Sequence, residues 1–186
     1  MNVHYNRIGD DEIYSEISNI GDGLIRVRDR AGVQVQLVSF DSKYLYIRDA
    51  ETGKVFCPWG APAPRRVTER QCRYNAAKTE ISGVCDDLRA TQRDFCPREH
   101  AVEIWTVTVE NMEDRPRTLN LFAYALFQLN GADGEGRPVG KDNFSEVRPD
   151  IQGVFVTNRN AHCPTERFKG YLIALQDFKA ADGYRD

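Results

Sequence analysis

The chain has 186 residues, 41% hydrophobic and 28% charged, with 25 Lys and Arg against 28 Asp and Glu for a formal net charge of -3. That length supports one core of ordinary size, and the scattered, nearly balanced charges give no electrostatic footprint for a nucleic-acid backbone. Composition speaks against disorder, collagen and coiled coil, and the longest apolar run, Leu121 to Phe127, is far short of the roughly 20 residues that span a bilayer.

The start of the chain meets Asp10-Asp11-Glu12 where a secretory signal would be apolar, so the sequence reads as cytoplasmic. The five cysteines, Cys57, Cys72, Cys85, Cys96 and Cys163, are odd in number and lack a close CxxC pair. Reduced, mostly buried thiols acting as small core hydrophobes are expected.

Period-two alternation predicts strands over 24–28, 33–38 and 44–48, separated by Gly21-Asp22-Gly23, Arg30-Ala31-Gly32 and the turn from Asp49 to Gly53. The same rhythm predicts strands over 72–74, 78–82, 88–96 and 102–109, then 117–129, 152–158 and 168–178. The segment from Leu119 to Leu129 is the one stretch with a helical alternative; its aromatics, Thr118 and partial alternation favour a buried strand. No segment combines helical apolar spacing, a cap and the length of a crossover helix, so an antiparallel sandwich is expected instead of a parallel sheet.

Two stretches break the pattern. Pro58, Pro62 and Pro64 make the region from Cys57 to Arg66 an extended loop, with Trp59 pinning it and partly open to solvent. Asn130 to Pro149 carries Gly131, Gly134, Gly136 and Gly140 between two strands. A connection of that length marks a segment that contacts something else.

Catalytic patterns are weak. Cys96-x3-His100 and His162-Cys163 do not fit structural zinc spacings, so strand ends and loops account for them, and no metal is assigned. There is no Gly-x-Ser-x-Gly elbow, and His4, His100 and His162 fall in a terminus and two loops. The Gly131-x-x-Gly134-x-Gly136 run is not followed by a helix, which removes the phosphate-loop reading. Asp10-Asp11-Glu12 and Asp86-Asp87 read as solvated hairpin ends, with no general acid among them. Tyr44, Tyr46, Tyr74, Trp105, Tyr124 and Tyr171 lie on alternating strands and are expected in the core, leaving Trp59 as the candidate for sugar stacking.

The ordered series Tyr44-Leu45-Tyr46-Ile47-Arg48-Asp49, Thr52-Gly53, Pro58-Trp59, Arg73-Tyr74-Asn75-Ala76 and Thr79 to Gly83 continues through Phe95-Cys96-Pro97, Val102 to Val107, Glu110-Asn111 and Arg117 to Tyr124. It resembles the amino-terminal β-sandwich of glycoside hydrolase family 94, the family of cellobiose, cellodextrin and chitobiose phosphorylases. The resemblance runs over residues 12–178. It implies an all-β antiparallel supersandwich of the galactose-mutarotase-like kind, preceding a helical linker and an (α/α) barrel that carries the catalytic aspartate and the main phosphate and glucosyl ligands.

The sequence stops at Gly183-Tyr184-Arg185-Asp186, before the family's sandwich would be complete. The expectation is therefore a single domain over 1–186, incomplete at its C-terminus, with no catalytic residue to carry over and no cofactor; inorganic phosphate is the co-substrate of the parent enzyme. The resemblance further implies a homodimer in which a sandwich loop covers a partner's active site where a β-linked gluco-oligosaccharide binds. By chain order that loop is Asn130 to Val147, with Asn143 and Phe144 as cleft contacts. A free-standing carbohydrate-binding sandwich is the alternative from another class. A mutarotase-like enzyme is a third, though neither His100 nor His162 has an evident carboxylate partner by spacing. A sandwich missing its last strands is expected to leave unpaired edges and apolar faces that favour association.

Overall fold

The computed structural model describes residues 3–28, 32, 34–57, 59–60, 66–129, 143–158 and 169–175. In chain order the strands are β1 Tyr5–Gly9, β2 Ile13–Ser18, β3 Gly23–Arg28, β4 Gln34–Asp49, β5 Val55–Phe56, β6 Thr68–Tyr74, β7 Lys78–Cys85, β8 Leu88–Phe95, β9 Ile104–Asn111, β10 Leu119–Phe127, β11 Asn143–Arg148, β12 Gly153–Asn158 and β13 Lys169–Ile173. The only helix among the described residues is a 3-10 turn over Pro149–Ile151.

All pairings are antiparallel. One sheet runs β1-β2-β3-β4-β10 with β5 beside β4, a second runs β6-β7-β8-β9, and a smaller third runs β11-β12-β13. The first two stack as an antiparallel β-sandwich. Ile8, Ile17, Leu45 and Ile47 of one sheet meet Ile81, Leu88 and Ala90 of the other around Phe56 and Trp59. A second cluster, Ile13, Ile25, Val38, Phe127, Leu129 and Val156, ties the first sheet to the third. Burial of these side chains away from water is the main force holding the layers together.

The expected break between strands over 33–38 and 44–48 is absent: β4 is continuous for 16 residues. It bends without ending because its register slips against β3 between Ile25 and Arg26 and against β10 between Ala125 and Phe127, local irregularities that increase twist. Strand β2 lacks an apolar alternation because a buried serine, Ser15, stands at the inward position between Ile13 and Ile17, and β1 lacks one because Ile8 is its one buried side chain. Between them Asp10 accepts from the amides of Glu12 at 2.9 Å and Ile13 at 3.2 Å, the hairpin end its composition announced.

Strand β10 is a strand as expected but is not a buried one. It pairs only with β4 among the described residues, and Leu121, Tyr124 and Leu126 are about half exposed. The Asp86-Asp87 turn joins β7 to β8 with φ of 55° and 58°, the two left-handed residues of a two-residue type I′ hairpin.

Candidate functional site

Asn143 and Phe144 open β11; they do not sit inside a loop. The part of the glycine-rich stretch over 130–142 lies outside the described residues. What is described is its base. At the end of β10 Phe127 is buried, the Gln128 amide donates to the Leu37 carbonyl at 3.0 Å, and Leu129 is buried with φ of 49°. The Asn143 amide reaches back to the Phe127 carbonyl at 2.6 Å, and its own oxygen accepts from the Asn158 amide at 2.8 Å. Asn143 therefore clasps the two ends of the segment. Phe144, opposite Thr157, is 49% exposed.

Trp59 departs from expectation. The prolines around it, Pro58, Pro62 and Pro64, lie outside the described residues, and the Trp59 side chain is fully buried in the core between the two large sheets. The physical reason is Gly21, in the β2–β3 turn at φ of 88°. A Cβ there would stand 2.7 Å from Trp59 Cδ1, so the bare glycine provides the space that the indole fills. A fully buried Trp59 has no face open for sugar stacking.

The tyrosines depart in the opposite sense. Lys43, Leu45, Ile47 and Asp49 are buried, so Tyr44, Tyr46 and Arg48 point to the outer face of the sheet. Register places Tyr44 opposite Tyr124, Tyr46 opposite Phe122 and Arg48 opposite Asn120. The Tyr44 and Tyr124 rings stack at 6.2 Å and 24°, and Tyr46 lies 6.4 Å from Tyr44. An aromatic ladder ending in two exposed polar side chains thus lies on the outside of the sandwich. Tyr74 and Tyr171 are also exposed, whereas Trp105 packs inward against the core.

A set of charged residues that alternation alone did not identify lies between the sheets. Lys43 Nζ contacts Glu103 Oε1 at 2.6 Å with both side chains almost wholly buried, and it donates to Ser15 Oγ at 3.0 Å. Asp94 is buried close by and accepts from Gln92 Nε2. The signal was present: Gln92 and Asp94 continue the inward parity of Leu88 and Ala90 along β8. Burial pushes the Asp94 carboxyl up to about 7, with the Glu103 charge adding to it. That value suits a general acid, but a group 1% exposed offers no approach to a substrate.

Asp49 accepts from the Thr52 amide at 2.8 Å and from the Arg117 guanidinium at 2.8 Å, which together hold its carboxyl well below the usual range. The Asp10 carboxyl is held low by the amides of Glu12 and Ile13. His4 and His100 are exposed, and His162 and Cys163 lie outside the described residues. Burial pushes the Cys96 thiol up to about 12, the wrong direction for a thiolate ligand. Cys57, Cys72, Cys85 and Cys96 form no disulfide among the described residues, and no grouping of three or more metal-type side chains occurs there. Nor is any helix among them long and apolar enough to cross a membrane.

The family model "Glycosyl hydrolase 94, supersandwich domain" matches residues 2–180. The chain belongs to glycosyl hydrolase family 94. Within the supersandwich family it is 31% identical over 134 residues to solabiose phosphorylase of Paenibacillus borealis, covering 68% of this chain and 17% of that protein. It is 30% identical over 133 residues to 3-O-beta-D-glucopyranosyl-beta-D-glucuronide phosphorylase of the same organism, 70% of this chain and 16% of that one. N,N'-diacetylchitobiose phosphorylase of Vibrio furnissii is 26% identical over 147 residues, 77% and 18% respectively. The chain therefore matches only about a sixth of the length of these curated relatives.

Proposed function

We propose that this supersandwich serves an enzyme that cleaves a β-linked glucoside by inverting phosphorolysis, with inorganic phosphate as co-substrate, in the cytoplasm. The observation that carries the reading is the family match over nearly the whole chain, together with relatives named as phosphorylases. The sandwich supplies no reacting group. It packs against an (α/α) catalytic barrel, contributes to a homodimer, and directs the segment clasped by Asn143 toward a sugar cleft. With the Asn143 carboxamide engaged by Phe127 and Asn158, Phe144 is the member of that pair whose ring is exposed for contact with a gluco-oligosaccharide.

Glucose 1-phosphate release tests this directly. The purified 186-residue chain, given cellobiose or N,N'-diacetylchitobiose and inorganic phosphate, is expected to release no sugar phosphate, whereas the same sandwich joined to its barrel turns over. Sugar phosphate formed by the chain alone would overturn the scaffold reading.

One observation favours a second reading, a carbohydrate-binding sandwich. The outer ladder of Tyr44, Tyr46, Phe122 and Tyr124 offers aromatic faces, with Asn120 and Arg48 beside them as hydrogen-bonding partners for sugar hydroxyls. Calorimetric titration with cello-oligosaccharides separates the two: a scaffold shows no saturable heat. A platform binds, and Tyr124→Ala weakens it by about tenfold, the worth of one aromatic contact.

A further inference from the structure

Besides the mutually neutralising pair Asp49–Arg117, the described residues of the interface between the two large sheets include a second buried charged group, one ammonium with two carboxyls. Lys43 enters from β4, Asp94 from β8, and Glu103 from the segment just before β9; all three side chains are buried. Lys43 is engaged by Glu103 Oε1 at 2.6 Å and by Ser15 Oγ of β2 at 3.0 Å, with its ammonium 5.9 Å from the Trp105 ring. Asp94 sits opposite Trp105 on the β8–β9 ladder, and both its oxygens accept from the Gln92 amide at 2.9 Å, a neutral donor. Glu103 Oε2 has no hydrogen-bond partner among the described residues.

The other groups placed against Asp94 among the described residues do not correct the imbalance. Thr79, opposite Asp94 on β7, contributes a neutral hydroxyl. The thiols of Cys72 on β6 and Cys96 beyond β8 are both pushed up by burial and stay protonated near neutrality. Asp10, in the β1–β2 turn, acts on Cys96 only at a distance and is held below its usual range. Two ionised carboxylates sharing one ammonium would leave a net negative charge inside the sandwich, where water does not screen it.

We propose that Lys43, Glu103 and Asp94 form a proton-linked latch between the sheets: one proton held on Asp94 keeps the interior neutral and the sandwich tight, and its loss as pH rises loosens the packing of β4 against β8. The Asp94 carboxyl, pushed up to about 7 from an ordinary 3.8 by burial and then by Glu103, titrates in the range this requires. The folded chain then binds one proton more than the unfolded chain between those two values. Stability from this group is greatest at the acid end of that window, declines as pH rises through it, and is flat above neutrality. This is opposite in sign to the hydrogen-bonded carboxylates Asp10, Asp49 and Glu80, which are held low and act at more acidic pH.

Urea unfolding of the full chain at intervals between about pH 5 and pH 8 tests it. The wild-type unfolding constant is expected to rise by about tenfold per pH unit up to neutrality, the slope of a single linked proton. Asp94→Asn, which mimics the protonated carboxyl, is expected to abolish that slope and to be more stable than wild type at the alkaline end. An unchanged slope in Asp94→Asn, or wild-type stability that rises over the same range, overturns the latch. Should unfolding prove irreversible, the carboxyl-carbon NMR titration of Asp94 decides: a midpoint near neutrality supports the latch, and one in the ordinary aspartate range removes it.

Discussion

Lys43→Met is expected to cost about 3–5 kcal/mol of folding stability, the usual penalty for removing one member of a buried ion pair. The side chain of methionine fills most of the lysine stem, so lost volume is a small part of the effect. What remains is Glu103, almost wholly buried and without its cation, its charge still acting on the buried Asp94. Ser15 Oγ loses its ammonium partner in the same step. Urea midpoints compared with the double variant Lys43→Met/Glu103→Gln measure the cause. The double variant is expected to recover much of the loss, because both charges of the pair are then gone. A double variant no more stable than the single one would show that lysine packing, and not the orphaned carboxylate, accounts for the cost.

Trp59→Ala is expected to lose about 3–5 kcal/mol, the range for deleting a large buried aromatic side chain. The indole is fully buried, touches the core shared by the two large sheets, and rests on the bare backbone of Gly21. Its removal leaves a cavity that the neighbouring sheets cannot close without shifting a turn. Trp59→Phe keeps part of the ring and is expected to fall between wild type and alanine. Thermal melts by circular dichroism read all three. Adding Gly21→Ala gives a sharper check: its Cβ clashes with the indole in wild type but has room in Trp59→Ala, so the glycine substitution is expected to cost less in the alanine background. The left-handed backbone at Gly21 keeps some cost in both.

Both effects concern residues whose sequence environment pointed elsewhere. Proline spacing around Trp59 pointed to an extended loop, yet said nothing about whether the indole lies on the surface or in a gap between layers. The answer came from Gly21, 38 positions earlier in the chain, whose missing side chain creates the gap. For Asn143 the resemblance implied a loop residue, whereas it opens β11, and its role as a clasp depends on the Phe127 carbonyl and on Asn158, which meet only when β11 pairs with β12.

The fold class was legible because alternation and turn chemistry are local. Leu24 to Arg28, Lys78 to Ser82 and Ile104 to Val109 carry their own period of two, and Asp49 to Gly53 and Asp86-Asp87 carry their own reversals. Ordered motifs along the same strands carried the family as well. Alternation separates the two faces of a strand without saying which is inside, and on β4 that choice decides everything: Tyr44 and Tyr46 look outward, while Lys43 goes inward to meet Glu103, 60 residues away. The amino-acid order by itself determined that strands form, where they turn and which family they build. Only the stacking of one sheet on another decided which aromatic residues stay wet and which charges are buried together, because burial is a property of the opposing layer and not of the strand that carries the side chain.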